Sequence, residues 1–193
     1  LAEQPCALLV LTLLLAGCSR SESGFGFRLE QVDSRVTTAG LEITVHQKLA
    51  LSREASDALE HGVPLSLQTA VSLRTASQHR DIEQQHRNFE IRYLPLSKRY
   101  QLTVAQPFSV STFPRLRHVL TDLATVTFTL GPVPMPASAC EIRVRTFLDT
   151  RHMPPPMRLP ARFSSRWRHD SGWQAWPLAA GGEPSTREHR SLD

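Results

Sequence analysis

The 193-residue chain predicts a mainly β domain, with α+β as the alternative, built as an antiparallel, sandwich-like sheet with two short helices. Three observations carry this reading. Apolar and polar residues alternate strictly over six stretches, the pattern of strands that bury one face and wet the other. Only two stretches combine helical spacing with capping residues. No strand–helix–strand unit of the parallel kind recurs along the chain.

The elements follow in order. Leu41, Ile43, Val45, Leu49 and Leu51 share one phase, opposite Glu42, Thr44, His46 and Lys48, and only Gln47 breaks it. The first helix is expected in "SREASDALEHG", with Ser52 as N-cap, acids in the first turns and Gly62 just past the end. Alternation resumes at Val63, Leu65, Leu67, Thr69, Val71 and Leu73, then at Phe89, Ile91 and Tyr93, and again at Tyr100, Leu102 and Val104. The second helix is expected in "STFPRLRHVLTDLA", with Pro114 in its first turn and Phe113, Leu116, Leu120 and Leu123 at helical spacing. Val126, Phe128 and Leu130, then Cys140, Ile142, Val144 and Leu148, complete the strands. "TTAG" and "PLSK" read as hairpin connections.

Apolar residues form 40% of the chain and charged residues 21%, a balance that supports one folded core and argues against a multi-span protein. Ala7 to Ala16, "ALLVLTLLLA", carries no charge. A helix of that length rises about 15 Å, half of the ~30 Å hydrocarbon core, so it is too short to span. It matches instead the apolar centre of a secretory signal. "LAEQPC" before it holds Glu3 and no Lys or Arg, and the chain opens on Leu1, as a truncated or misassigned start would. Leu15-Ala16-Gly17-Cys18 then resembles the lipobox of bacterial lipoproteins, in which the cysteine is acylated and becomes the new N-terminus. That resemblance implies several acyl chains on Cys18, enough for a durable anchor where one chain binds only marginally. Ser19 in the next position favours the outer membrane over the inner.

The expected organisation is therefore a lipoprotein signal over 1–17, a lipidated Cys18 with a flexible tether to 26, one β-rich domain over 27–178 and a disordered tail over 179–193. Cys6 leaves with the signal and Cys18 carries lipid, so Cys140 has no disulfide partner. Its phase, shared with Ile142 and Val144, points it inward.

Chemistry-bearing residues are numerous but unconverged. Eight histidines show neither HExxH nor Cys/His ligand spacing, so no metal site and no cofactor are expected. "RHDSG" sets His169, Asp170 and Ser171 side by side, where neighbouring side chains point apart, and it reads as a turn rather than a triad. No nucleophile elbow or phosphate loop occurs. Arginine gives the sharper signal. Between 141 and 170, Arg143, Arg145, Arg151, Arg158, Arg162, Arg166 and Arg168 face only Glu141, Asp149 and Asp170. Arg143, Arg145, Arg166 and Arg168 are the candidate contacts for an anionic partner, with the first two on one outward strand face. The formal charge of +4 rises to +5 once Glu3 leaves with the signal. Trp167, Trp173 and Trp176 cluster in "RWRHDSGWQAWP" and are expected to seal the end of the sheet.

Several segments together resemble a proteobacterial family, domain-of-unknown-function family 4390. They are "LSREASDALEHGVPLSL", "RYLPLSKRYQLT", "STFPRLRHVL", "VRTFLDTRHMPPPMRLP" and "RWRHDSGWQAW", in this order over roughly residues 42 to 177. The resemblance implies a secreted or envelope protein, offers a sensor kinase as a partner and supplies no catalytic or ligand residue. The expected protein is thus a non-enzymatic envelope lipoprotein, lipid-anchored and periplasm-facing. Its β-domain is expected to bind an envelope protein such as a sensor kinase, or an anionic lipid or glycolipid, and no nucleic acid. The alternative is an envelope hydrolase whose site is assembled from distant His and Asp or Ser residues.

Overall fold

The alternating stretches become strands of two antiparallel sheets in a computed structural model that describes residues 24–75, 81–131 and 140–178. The expected signal, Cys18 and the tail lie outside the described residues. In chain order the elements are β1 (Gly26–Thr37), β2 (Gly40–Ala50), α1 (Arg53–Glu60), β3 (Leu65–Thr75), β4 (Asp81–Leu94), β5 (Arg99–Val104), β6 (Ser109–Phe113), α2 (Leu116–Asp122), β7 (Thr125–Leu130), β8 (Cys140–Leu148), α3 (Pro155–Phe163) and β9 (Gln174–Pro177). Short 3-10 turns at Thr150–His152 and Ser165–Trp167 flank α3. One sheet has the order β1-β2-β7, and the other β6-β5-β4-β3-β8-β9. The chain passes from the small sheet to the large one through α1 and returns through α2.

The mainly β, sandwich-like fold is as the alternation predicts. Ile43, Val45, Phe128 and Leu130 from the small sheet and Leu65, Val71, Leu73, Ile91, Ile142 and Val144 from the large one enter one buried core. Cys140 joins them, and burial pushes its thiol pKa up, as for an inward hydrophobe. The "TTAG" hairpin closes β1 on β2 at Gly40, whose φ is 134°. A Cβ at that position would strike the carbonyl oxygen of Leu130, so only glycine fits beside β7. In α1, Ser52 caps as expected by accepting from the Ala55 amide at 3.2 Å, while Ala55 and Leu59 are fully buried.

Gln47, which breaks the strand phase, proves to be the polar pin between the sheets. It is 3% exposed, and its amide nitrogen donates to the Leu123 carbonyl at the end of α2 at 2.8 Å. Its oxygen accepts from the Thr146 hydroxyl of β8 at 2.6 Å. Thr146 has one proton to give, so Thr69 of β3, 3.1 Å away, is the donor to it. Every buried polar side-chain atom of this chain of three residues thereby has a partner, which is the condition for such a bridge to stabilise rather than cost.

Two expectations about helices are corrected. A third helix, α3, exists beyond the two predicted. The run Pro154-Pro155-Pro156 hides its start, although a proline suits a first helical turn, and Pro160 removes an amide donor that a helix would use. Phe113, expected in the second helix, instead ends β6 opposite Tyr100, and α2 begins after Arg115.

Candidate anion-binding cleft

On β8 the inward residues are Ile142, Val144, Thr146 and Leu148, which leaves Arg143, Arg145 and Phe147 on the outer face of the large sheet. Arg145 is held there bidentately by Asp170, Nε to Oδ1 at 2.9 Å and Nη2 to Oδ2 at 2.5 Å, and its guanidinium lies 4.8 Å from the Phe147 ring centroid. The turn predicted at "RHDSG" positions that carboxylate. Ser171 donates its amide to the Thr146 carbonyl and accepts the Thr146 amide on its hydroxyl, both at 2.9 Å. Gly172, at φ 68°, turns its amide back onto Asp170 Oδ1. Burial works against ionisation of Asp170, but the hydrogen bonds from Arg145 and Gly172 outweigh it and hold its carboxyl below the usual range.

Immediately after β8, the buried Asp149 carboxylate accepts three hydrogen bonds from Arg151, from its backbone amide and Nε at 2.9 Å and from Nη2 at 2.8 Å. His152 Nδ1 lies 3.2 Å from the same carboxylate. The Arg151 bonds depress the Asp149 pKa despite its burial. Arg151 itself is largely in solvent.

Arg145, Arg151 and Arg168 converge on a cleft of about 270 Å³, whose floor and walls include Phe147, Ala161, Ser164 and Trp167. Asp149 and Arg151 also form one wall of a second groove, of about 350 Å³, that runs over the outer sheet face past Ser66, Gln68, Asn88, Glu90 and Thr103. Asp149 and Asp170 neutralise two of the three cleft arginines. Among the described residues Arg168 has no carboxylate partner and is exposed, so the cleft keeps a net positive wall.

The four predicted arginines thus separate. Arg145 and Arg168 come together in the cleft. Arg143 shares the outer face but stacks over Trp173, at 5.0 Å from its ring centroid. Arg166 turns away and binds Glu54 of α1 at 2.6 Å. Arg151 was legible only as one basic residue among seven, and its spacing from Asp149 in "DTRH" was the signal that the two close a local turn.

His169, His46 and Trp176 have local explanations. His169 is 1% exposed, lies 5.4 Å from the ring centroids of Phe25 and Phe27, and accepts the Ser52 amide on Nε2 at 2.8 Å. It faces the core while Asp170 faces out, so the two do not meet. His46 sits 3.1 Å from Asp33 on the outer face of the small sheet. No group of three or more metal-ligating side chains occurs among the described residues. Trp176 packs against the core opposite Ile142, as expected of a ring that seals the sheet end. No helix of the described residues is long and apolar enough to cross a membrane.

No curated protein and no solved structure matches the chain. The family model described as "Domain of unknown function (DUF4390)" matches residues 25–177, which takes in both sheets and the three helices of the described residues, with the cleft. By that match the chain belongs to the DUF4390 family.

Proposed function

We propose that this domain is a non-enzymatic binding module of the bacterial cell envelope, held on a membrane through Cys18, with the outer membrane favoured. Its cleft takes an anionic oxygen group of another envelope component. The partner is an acidic segment of a protein such as a sensor kinase, or the headgroup of an anionic lipid or glycolipid. The observation that carries this reading is the convergence of Arg145, Arg151 and Arg168 on one cleft with only two carboxylates to neutralise them. A guanidinium already fixed by a carboxylate is pre-oriented for a second oxyanion, and one without a carboxylate supplies the net charge. The test is site-specific crosslinking from Ser164, at the cleft rim, in intact cells, compared between the wild type and Arg168→Glu. Loss of the adduct in the variant supports the cleft, and an unchanged adduct refutes it.

A second reading, hydrolysis, is favoured by the His152–Asp149 pair, a histidine oriented by a carboxylate at the edge of the larger groove. Ester or phosphoester turnover that His152→Ala abolishes would establish it, and turnover indifferent to that change would remove it.

A further inference from the structure

The stretch from Arg151 to Arg168 packs five arginines and His152 into eighteen residues with no acidic residue. At its centre is α3. Residues two apart on a helix point about 200° apart, so its faces separate cleanly. Ala161 is buried and Met157 packs against the core, which fixes the inward face. Leu159 and Phe163, one turn apart, occupy the opposite face and are 66% and 79% exposed. Arg158 stands beside this ridge with its Nε anchored on the Met153 carbonyl at 2.7 Å. Scattered single exposed apolar residues need no explanation, but two large ones stacked on one helix within an arginine-rich, acid-free segment form a pattern.

We propose that α3 docks on an anionic phospholipid bilayer, with Leu159 and Phe163 entering the boundary between headgroups and acyl chains. Arginines of the same segment meet the lipid phosphates. Apolar side chains on one helix face, flanked by cationic side chains and lacking acids, are the arrangement by which a helix lies in a membrane interface without spanning it. A protein groove would satisfy the ridge but gives no reason for so dense a run of arginines, unrelieved by any acid of the same segment, around it. The proposal stands without the cleft: Leu159 and Phe163 do not line it, although Arg151 and Arg168 at the ends of the same segment do.

The experiment is vesicle co-sedimentation of the full chain in a Cys18→Ala background, so that acyl chains on that residue do not mask the helix. Vesicles of phosphatidylethanolamine with phosphatidylglycerol are compared with neutral phosphatidylcholine vesicles. The exposed positions tolerate Leu159→Ser with Phe163→Ser without loss of fold, which circular dichroism checks. Expected are preferential partition onto the anionic vesicles, weakened by salt, and a roughly ten-fold lower partition coefficient for the double variant. Arg168→Glu, which reverses the net charge of the cleft, separates the two readings, because it is expected to abolish the cleft adduct while the ridge-dependent loss persists. Equal partition of the double variant and its parent overturns the proposal, as does equal partition onto anionic and neutral vesicles or none onto either.

Discussion

Replacing Gln47 by methionine tests how the two sheets are held together. The two side chains are similar in length, so little volume changes, and the perturbation is confined to polar partners. The Leu123 carbonyl loses its donor at 2.8 Å and the Thr146 hydroxyl loses its acceptor at 2.6 Å, both in a region where Gln47 is 3% exposed. A buried polar group left without a partner costs about 1–3 kcal/mol, and methionine's apolar gain offsets part of the two losses. The expected net cost is about 2 kcal/mol. For a domain of this size each kcal/mol moves Tm by ~2–4 °C, so thermal unfolding should fall by ~4–8 °C. Urea unfolding at pH 7 gives the free energy directly, and a cycle with Thr146→Val should return a coupling of about 1 kcal/mol or more. A Gln47→Met protein within about 0.5 kcal/mol of wild type, or a cycle with no coupling, refutes the bridge as a source of stability.

Three further outcomes are expected. His169 has its pKa lowered from 6.5, mainly by burial and against an opposing pull from the Trp167 backbone. Below pH 6.5 the unfolded chain therefore takes up the proton first, so stability present above 6.5 is lost as pH falls toward the folded value. Urea midpoints measured from pH 8 to 5 should show this slope, and His169→Gln should flatten it; an unaltered slope contradicts the assignment. Asp170→Asn should cost about 1 kcal/mol, since the ion pair is about a third exposed, yet strengthen anion binding in the cleft by freeing Arg145. Unfolding and phosphate titration of the same variant check both halves. Ser52→Ala removes the α1 cap and should lower stability by about 1 kcal/mol in urea, with no change expected at the cleft.

Period-two alternation made the strands legible because a sheet with one buried face writes its geometry directly into the chain. Cys140, Ile142 and Val144 lie where their phase put them. Gln47 shows the limit of that reading. A polar residue at an inward position is ambiguous until its partners, Leu123 and Thr146, are brought 76 and 99 residues along the chain to meet it. Helix α3 escaped because its prolines obscure propensity and, among its described side chains, only Met157 and Ala161 face inward, too few to set a period. The cleft was half legible. Composition revealed an arginine excess, but pairing is decided in space: Glu54 takes Arg166 out of the set across 112 residues, and local turns assign Asp149 to Arg151 and Asp170 to Arg145.

Whether Arg145, Arg151 and Arg168 form one anion site is decided by NMR titration with inorganic pyrophosphate. Arginine Nε–Hε resonances report each guanidinium separately. Saturable shifts are expected at these three residues, with near-silence at Arg166 and Arg143 and loss of saturation in Arg168→Ser. Small, linear shifts spread over all the arginines would contradict it.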